Sequence, residues 1–398
     1  MGRDGMKPNQ KQLWNRHDAG GIAPATVVTI GGAMVDTIAV IDSERIERIT
    51  LNNADKAFLL LEEGRKTEAA LISTHPGGGA VNAAVSFARL GFKVSAIVKV
   101  GTDARAAMLK VALCAEGIGC NRVIETALAA TGASVIISSH ERNAAIFTYR
   151  GANSLIETTD ITAAMFSQDI VYIAGLSDRS ADIFPSVVAF AAANSAFVAA
   201  NPGIRQLSAK GEAFYKTLSH LSLLSMNRQE ATALIPRFIN RTPKSTRERP
   251  PSDRAMPTLM RDGFCDNDAE MSLPHFIGAL LDEGPQFILI TDGKNGAYAA
   301  NADEIVFCPS LPTQVIGTAG AGDAFTSTFA AMVSARESIG VALQYAAVNA
   351  SSVVEHADTQ TGLMRRAALE QKRLTHLQEL GLQRWRLSAP FRDSAAAS

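Results

Sequence analysis

Short apolar segments rich in β-branched residues alternate along the chain with longer segments in which apolar residues recur at helical spacing. The short segments predict buried strands at residues 26–30, 93–98, 169–173, 196–200 and 221–224. The longer segments predict helices at residues 80–90, 104–116 and 182–194. Because strands and helices alternate, the pattern favours an α/β fold with a mainly parallel sheet and helices on both faces.

Two stretches depart from this alternation. Residues 36–74 contain several short predicted strands, and no helix separates the first of them from strand 26–30, so we expect a small sheet beside the main one. Residues 133–138 and 145–149 predict a second insert, a hairpin. Its returning strand has Ala145, Phe147 and Tyr149 on one face and Ile146, Thr148 and Arg150 on the other. Segments 36–74 and 131–150 together predict a β-sheet lid.

The remaining patterns divide the chain into a flexible leader at residues 1–24, one folded domain at 25–383 and a tail at 384–398. Within the domain, residues 237–269 combine basic residues with prolines, which predicts a flexible surface insertion that either steers anions or is simply solvated. Residues 287–300 predict two strands joined by a tight turn. Residues 365–385 predict an amphipathic helix.

Composition and charge exclude several classes of protein. The chain has 398 residues, is 47% hydrophobic and carries a formal net charge of -1, which gives no electrostatic reason to expect nucleic acid or an anionic membrane as a partner. Its four cysteines lack the Cys-x-x-Cys spacing of zinc sites. Neither a secretory h-region nor an apolar run long enough for a bilayer is found, so we expect a cytoplasmic protein.

A glycine-rich stretch, Gly317-Thr318-Ala319-Gly320-Ala321-Gly322-Asp323, leads into an apolar predicted helix. Free N–H groups and the helix dipole make such a turn an anion site. The position at which a P-loop needs lysine holds Asp323, and the glycine spacing does not fit a dinucleotide fingerprint. An anion hole beside a carboxylate suits a hydroxyl that loses its proton while it attacks a phosphate. A plain turn, with Asp323 favouring the dipole, is the structural alternative.

Three further polar positions follow predicted strands or begin predicted helices. Asp36 follows the first strand, at the sheet edge where ligands of α/β proteins bind, although a solvated loop aspartate is equally consistent. Gly77 and Gly78 lead into the helix that carries Asn82, which predicts either a polyol-binding corner or a capping turn. Asn227 and Glu230 begin a helix at i, i+3, either as ligands or as an exposed capping pair.

The order of these motifs resembles the ribokinase/PfkB family of carbohydrate kinases. Gly77-Gly78 with Asn82 and Ala88-Arg89-Leu90-Gly91 resembles the N-terminal signature of that family, and Val100-Gly101-Thr102-Asp103 resembles its Val-Gly-x-Asp segment. Asn227-Arg228-Gln229-Glu230 matches the Asn-x-x-Glu motif, and residues 317–323 resemble the Asp-Thr-x-Gly-Ala-Gly-Asp signature. The resemblance implies a three-layer α/β/α sandwich with a β-sheet lid, and ATP-dependent phosphorylation of a hydroxyl group.

The resemblance also implies roles for individual residues. Asp323 would be the catalytic base, and the backbone N–H groups of the anion hole would come from Gly320, Ala321 and Gly322. The acceptor would be held by Asp36, Gly77, Gly78 and Asn82, and Arg150 would pair with a phosphate if the acceptor were a phosphosugar. Glu230 would hold Mg²⁺ through water. The residues implied in nucleotide binding are Asn227, Glu230, Thr291, Gly293, Gly296, Thr318 and Asn349.

Two positions depart from the family pattern. Gly317 stands where the family has aspartate, which bears on metal use and on dependence on a monovalent cation such as K⁺; Ala106 replaces the last glycine of the Val-Gly-x-Asp segment. Since Asp323 and the glycines before it remain, we expect an active sugar kinase.

Three further expectations follow from the lid and from Gly317. Phe58, Phe147 and Tyr149 would suit a nucleoside kinase if they stack on a base, and otherwise form the core of the lid. A non-catalytic sugar or nucleotide sensor is the alternative that Gly317 leaves open. Exposed lid edges predict a homodimer.

Overall fold

The computed structural model describes residues 24–41, 47–50, 57–60, 64, 66–139, 144–209, 211–238, 256–266 and 269–387. A ten-stranded sheet forms its centre, with seven parallel strands followed by three antiparallel ones. In spatial order the strands are β7 (Val123–Glu125), β6 (Lys93–Val100), β1 (Thr26–Ile30), β10 (Ile170–Ile173), β11 (Phe197–Ala200), β12 (Leu223–Asn227), β15 (Phe287–Thr291), β16 (Ala297–Ala300), β17 (Glu304–Cys308) and β18 (Gln383–Arg386). The predicted mainly parallel sheet is therefore confirmed.

Helices cover both faces of this sheet and bury a separate hydrophobic core on each. One core is formed with α1 (Gly79–Arg89), α2 (Ala104–Ala115), α9 (Ala321–Ser334), α10 (Ile339–Val354) and α11 (Arg366–Thr375). The helices on the other face are α3 (Phe184–Ala193), α4 (Ile204–Ala209), α5 (Gly211–Tyr215), α6 (Arg228–Phe238), α7 (Thr258–Asp262) and α8 (Leu273–Asp282). The strands are buried on both sides, as expected of a sheet between two helical layers.

The two predicted inserts pair into one small sheet. Its spatial order is β5 (Leu71–Gly77), β2 (Met34–Ile41), β8 (Gly132–Ser139) and β9 (Ala144–Tyr149). Only three residues separate β2 from β1, as the absence of an intervening helical pattern predicted. A further hairpin is formed by β3 (Glu47–Thr50) and β4 (Ala57–Leu60). In strand β4 only the backbone position of Phe58 is described, so the expectation for its side chain lies outside the described residues.

The structure corrects two sequence expectations. The predicted flexible insertion at 237–269 is ordered at both ends: α6 continues to Phe238, and after residue 256 come α7 and a hairpin of β13 (Phe264–Asp266) and β14 (Ala269–Met271). Leu259 and Phe264 are buried there, which explains the order, since each adds apolar surface to the core. Residues 239–255, and residues 1–23 of the leader predicted at 1–24, lie outside the described residues.

The second correction concerns the predicted helix at 365–385. The helix ends at Thr375, and residues 383–386 instead form strand β18 at the edge of the main sheet, paired with β17. Trp385 packs against the core, and Arg384 donates two hydrogen bonds to the carboxylate of Glu304. The predicted tail boundary at 384 therefore falls inside a strand. No helix in the described part of the chain is long and apolar enough to cross a bilayer.

Candidate active site

The glycine-rich stretch ends where helix α9 begins. Gly320 precedes the helix with a left-handed φ of 78°, and a Cβ at this position would lie 2.7 Å from the Cβ of Thr359, so both conformation and space require glycine. Gly322, two residues further on and within the helix, has open space around the position of a Cβ. The predicted helix is confirmed. The N-cap residue Gly320 offers no side chain to cap its first turn, and N–H groups of an uncapped first turn are the donors that bind anions at helix starts.

Asp323 lies in the first turn of α9 and is partly buried. Its Oδ2 accepts a hydrogen bond of 2.8 Å from Asn82 Nδ2, across a separation of 241 residues. Burial raises the pKa of this carboxyl group, the Asn82 hydrogen bond lowers it, and the negative charge of Asp36 raises it further. The two candidate motifs at Asn82 and Asp323 are thus in direct contact.

Asp36 lies on lid strand β2, and its carboxylate comes close to the start of α1. Ser134 on β8 donates a 2.5 Å hydrogen bond to Asp36 Oδ1. Burial raises the pKa of Asp36, while the Ser134 bond and the nearby His75 lower it. A Cβ on Gly77 would collide with the Asp36 carboxylate, and Gly78 has a φ of 95° with its Cβ position 2.6 Å from the carbonyl oxygen of Gly32. The glycines therefore allow the lid strand and helix α1 to approach.

Two residues that the sequence analysis did not identify hold the other side of Asn82. Its Oδ1 accepts hydrogen bonds from Thr359 Oγ1 at 2.9 Å and Gln360 Nε2 at 3.1 Å. Both donors lie in the loop between α10 and α11, at 277 and 278 residues from Asn82 in the sequence. No periodicity or spacing signals such a contact, because it exists only after the two helices have packed.

A cleft of about 450 Å³ runs from the β15–β16 turn to the start of α9. Four of the predicted nucleotide-binding residues line it: Thr291, Gly293, Gly296 and Thr318. Ala321 and Gly322 line its far end, so the cleft reaches the helix start that bears Asp323. The remaining wall is mainly apolar and includes Leu311, Phe325, Ala347 and Val354, which sequence reasoning did not single out. An apolar cleft that also borders the first turn of a helix can accommodate a ligand with an apolar part and a phosphate group.

The other three nucleotide-site predictions fall outside the lining of this cleft. Asn227 is the partner of Thr291 in the sheet register, and it forms a reciprocal cap with Glu230: each side chain accepts a 2.9 Å hydrogen bond from the backbone N–H of the other residue. The structural alternative, a capping pair, is therefore present. Burial raises the pKa of Glu230, and the Asn227 N–H lowers it. Asn349 is buried in the core, where it bonds Thr328 Oγ1 and the N–H of Met364.

The two faces of the lid differ in chemistry. The register places Asp36 opposite His75 on one side and Ser134 on the other, and Ser134 opposite Thr148, so these polar side chains share one face. Phe147 and Tyr149 lie on the opposite face and are 60% and 53% exposed. The aromatic side chains of β9 therefore face away from Asp36. Arg150, directly after the strand, is exposed.

Gly317 packs against a neighbouring backbone segment. A Cβ at this position would lie 3.0 Å from the carbonyl oxygen of His356 and 3.3 Å from that of Ala357. An aspartate in this backbone arrangement would need residues 356 and 357 to move, which accounts for the glycine in structural terms. Ala106 is buried in the first turn of α2, where its N–H bonds the side chain of the N-cap residue Asp103, so the second departure is a packing position.

Comparison with solved structures defines the class of this fold. The ribokinase of Arabidopsis thaliana, solved in complex with ribose and ATP, superposes with a TM-score of 0.64 at 19% identity, covering 88% of this chain and 99% of that one. The fold is therefore that of the ribokinases, a three-layer α/β/α sandwich with a small β-sheet lid.

Sequence comparison then gives the family. The family model described as "pfkB family carbohydrate kinase" matches residues 35–366, so the chain belongs to this family and is a phosphotransferase. It is 25% identical to the ribokinase of Bacillus subtilis over 301 residues, 75% of this chain and 87% of that protein. It is 26% identical over 326 residues, 80% of this chain, to the bifunctional ribokinase/ribose-5-phosphate isomerase A of Fructilactobacillus sanfranciscensis, of which it spans about half, 54%.

Proposed function

We propose that the protein is an ATP-dependent kinase that transfers the γ-phosphate to a hydroxyl group of a sugar. The observation that carries the proposal is the surroundings of the α9 start. Ala321 and Gly322 line the end of the apolar cleft, while the next residue, Asp323, contacts Asn82 and lies near Asp36 of the lid. A phosphate at the end of the cleft and a hydroxyl between lid and α1 would meet at Asp323.

In this proposal Asp323 accepts the proton of the attacking hydroxyl group. Asn82 occupies Oδ2, which leaves Oδ1 to accept the hydroxyl proton. Burial raises the pKa of Asp323, so its carboxylate is a stronger base than a solvated aspartate, while the Asn82 bond keeps the ionised form accessible. The acceptor itself would be oriented by Asp36 and by the backbone at Gly77 and Gly78, whose lack of side chains lets a ligand approach.

The backbone N–H groups at Gly320, Ala321 and Gly322 would form the anion hole. Phosphoryl transfer depends mainly on positioning and on stabilisation of the charge that spreads over the phosphoryl oxygens. Helix N–H donors and the positive end of the α9 dipole supply that stabilisation without a lysine. The Ala321 N–H makes a long, 3.5 Å contact with the carbonyl of Thr318, which a phosphate oxygen could replace.

The residues present fit ATP and Mg²⁺. The cleft volume of about 450 Å³ is within the range of small-molecule sites, and Thr291, Gly293, Gly296 and Thr318 would hold the nucleotide. Among the described residues no cluster of three acidic, histidine or cysteine side chains suits a metal ion. Mg²⁺ is commonly held by phosphates and water with one or two carboxylates, and Glu230 with Asn227 would act through water. When bound, Mg²⁺ neutralises phosphate charge.

The lid favours a sugar over a nucleoside as the acceptor. A base could stack on Phe147 or Tyr149 only if these side chains faced the site, and they lie on the opposite face from Asp36. The polar row of His75, Asp36, Ser134 and Thr148 suits the hydroxyl groups of a sugar instead.

We further propose an unphosphorylated sugar. Asp36 is buried, Asp323 is partly buried, and both are negative when ionised. Burial raises the pKa of Asp358, but hydrogen bonds to Thr361 and Gln360 lower it overall, and Asp358 interacts with His75. Three carboxylates around the acceptor would repel a second phosphate group. Arg150 is exposed at the end of the lid, so its charge is largely solvated.

The test is ADP release from ATP and Mg²⁺ with a panel of sugars, phosphosugars and nucleosides, in the presence and absence of K⁺, beside Asp323→Asn. We expect one sugar to stimulate ADP release and Asp323→Asn to lower kcat by about 10²-fold to 10⁴-fold, because general base catalysis is lost. Thermal stabilisation by ATP should persist in the variant. ATP binding without turnover of any acceptor would instead favour the sensor alternative.

We also propose a homodimer formed through the lid, and a cytoplasmic location in which the four cysteines remain reduced. The lid face opposite Asp36 exposes the apolar side chains of Ile72, Val135, Phe147 and Tyr149. β5 and β9 are the edges of the lid sheet. An apolar face with open edges is suited to pairing with a second copy of the chain.

A further inference from the structure

The loop between α10 and α11 contacts two groups beside the proposed base Asp323: the side chain of Asn82 and the start of helix α9. Thr359 and Gln360 donate hydrogen bonds to Asn82 Oδ1, and Thr359 also packs against Gly320 at the start of α9. This loop carries no residue predicted from the sequence to act in the site. Two of its side chains instead form hydrogen bonds with Asn82, which in turn donates a hydrogen bond to Asp323.

The hydrogen bonds around Asn82 define a single orientation of its amide group. A carboxamide has one acceptor oxygen with two lone pairs and two N–H donors. Thr359 and Gln360 occupy both lone pairs of Oδ1, at 2.9 and 3.1 Å, while Nδ2 donates to Asp323 at 2.8 Å. If the amide flipped, its oxygen would face the carboxylate and its NH₂ group would face two donors. The contact with Asp323 would then be repulsive, and the Thr359 and Gln360 donors would lose the acceptor that they now share.

The loop is itself fixed by Arg89 at the end of α1. Arg89 Nη1 donates to the carbonyl oxygens of Gln360 and Leu363, both at 2.7 Å. The rest of its guanidinium group makes a bidentate ion pair with Glu116, the residue that follows α2, and this pair lowers the pKa of Glu116. Asp358 completes the turn by accepting the N–H groups of Gln360 and Thr361.

We propose that Thr359 and Gln360, anchored by Arg89, are positioning residues that orient the Asn82 amide toward Asp323 and so prepare Asp323 for catalysis. This inference rests on the proposed function for its catalytic part. Its structural part, a defined hydrogen bond from Asn82 to Asp323, does not depend on which substrate the enzyme uses.

The charged and titratable groups near Asp323 come from three elements. Asp36 on β2 raises the pKa of Asp323, and the buried Tyr172 on β10 has a pKa raised by burial and by the charge of Asp323. His75 on β5 interacts with Asp36 and Asp358. Since burial and the charge of Asp36 both disfavour the carboxylate form of Asp323, the Asn82 donor is the side chain that opposes them.

The test compares Thr359→Val with Thr359→Ser, and adds the double variant Thr359→Val/Gln360→Met. Valine and methionine keep the approximate size of the side chains but remove both donors to Asn82, whereas serine keeps its hydroxyl donor. We expect the double variant to lose about tenfold in kcat, the equivalent of about one hydrogen bond. The acidic limb of its kcat/KM profile should move to higher pH by up to about one unit. The KM for ATP should stay unchanged.

The matched control is Thr361→Val, since the Thr361 side chain bonds Asp358 rather than Asn82. Thr361→Val and Thr359→Ser should keep the wild-type pH profile. A folded Thr359→Val or double variant with an unshifted acidic limb would overturn the inference.

A second readout separates this inference from the proposed function. When the pKa of Asp323 rises further in the folded state, stability is lost as pH increases, so the Tm deficit of the double variant should be larger at neutral pH than at about pH 4. A deficit of equal size at both pH values would mean a purely structural role and would also overturn the inference. This measurement needs no turnover. An inactive wild-type protein would refute the proposed kinase, whereas the comparison of Tm deficits at the two pH values would still test the positioning role of Thr359 and Gln360.

Discussion

At the scale of single residues, the site depends on how Asp323 and Asp36 are buried. Both carboxyl groups have pKa values raised first by burial, and each is opposed by one side-chain donor, Asn82 for Asp323 and Ser134 for Asp36. Buried carboxylates with few donors are costly to a fold and are characteristic of sites with a chemical task. The sequence could identify these aspartates by their motifs. It could not show that they influence each other.

The cost of burying Asp323 gives a prediction for stability. Since its pKa is raised in the folded state, the folded protein binds this proton more tightly than the unfolded chain, and stability falls as pH rises above the unfolded carboxyl pKa of about 3.9. Asp323→Asn removes the charge and still accepts the Asn82 hydrogen bond. We expect the variant to have a higher Tm than wild type at neutral pH, with a gap that narrows toward pH 4. Thermal melts across this range measure it. Equal Tm values throughout would contradict the prediction.

Asp36 gives a second prediction, on binding of the acceptor. Asp36→Asn keeps the shape of the side chain but loses the charged acceptor for substrate hydroxyl groups. We expect the KM for the sugar to rise by about tenfold or more, since hydrogen bonds to charged groups contribute about 1.5–3 kcal/mol, while the KM for ATP stays the same. Thr37→Ala is the control, because Thr37 is the next residue on β2 and lies on the opposite face. An equal rise in both variants would argue against a direct contact.

At the scale of elements, the beginning of helix α9 joins two parts of the site. The same turn lines the nucleotide-sized cleft with Ala321 and Gly322 and carries Asp323 toward α1. The glycine pattern predicted this helix start from local chemistry alone. The structure separates its two glycines: conformation and space both require Gly320, whereas a Cβ at Gly322 would meet open space.

Alanine substitutions should distinguish the constrained Gly320 from the unconstrained Gly322. Gly320→Ala forces a left-handed φ of 78° on alanine and brings its Cβ to 2.7 Å from Thr359, so we expect a loss of stability of about 1–3 kcal/mol and reduced turnover. Gly322→Ala meets open space and lies within the helix, so its free energy of unfolding should be unchanged or rise by up to about 1 kcal/mol. Denaturant unfolding and kinetics measure both. Equal destabilisation would contradict this account.

Strand pairing in the lid places polar and aromatic residues on opposite faces of its sheet. The alternation in β9 predicted which of its residues share a face, and the register with β8 and β2 then determined which face carries Asp36. In the proposed function, this strand pairing is the observation that favours a sugar over a nucleoside, because it turns Phe147 and Tyr149 away from Asp36. The sequence of one strand does not determine which of its residues share a face with Asp36, because that depends on the register between neighbouring strands.

At the scale of the whole molecule, two helical layers enclose a ten-stranded sheet, and the lid extends from it by way of β1 and β2. The outer lid face is the largest group of exposed apolar side chains that β2, β5, β8 and β9 share, with Ile72 66% and Phe147 60% exposed. Such a face is typical of an interface.

The proposed dimer can be tested with one charge on this face. Phe147→Glu introduces a buried charge into the interface, so we expect light scattering at micromolar concentration to change from dimer to monomer. Thr148→Glu places the same charge on the neighbouring position of the other face and should remain dimeric. A monomeric wild-type protein, or a dimeric Phe147→Glu, would refute the proposed interface.

The sequence by itself determined the features that depend on local physics. Periodicity predicted the parallel strands and most helices, and the glycine spacing predicted the helix start at residues 320–323, because backbone conformation and hydrophobic burial act over a few residues. The resemblance of ordered motifs gave the family, which the comparison confirmed. Local patterns failed where distant packing prevailed: residues 258–266 became ordered by burying Leu259 and Phe264, and residues 383–386 became an edge strand beside β17.

Only the tertiary structure decided the contacts that define the candidate site. Asn82 lies 241 residues from Asp323, 277 from Thr359 and 278 from Gln360 in the sequence. Its single amide group nevertheless forms hydrogen bonds with all three side chains. Asn349, expected in the cleft, was instead buried by packing of α10 on α9. Hydrogen bonds of this kind form when helices are already in place, so their partners are determined by three-dimensional packing rather than by any pattern along the chain.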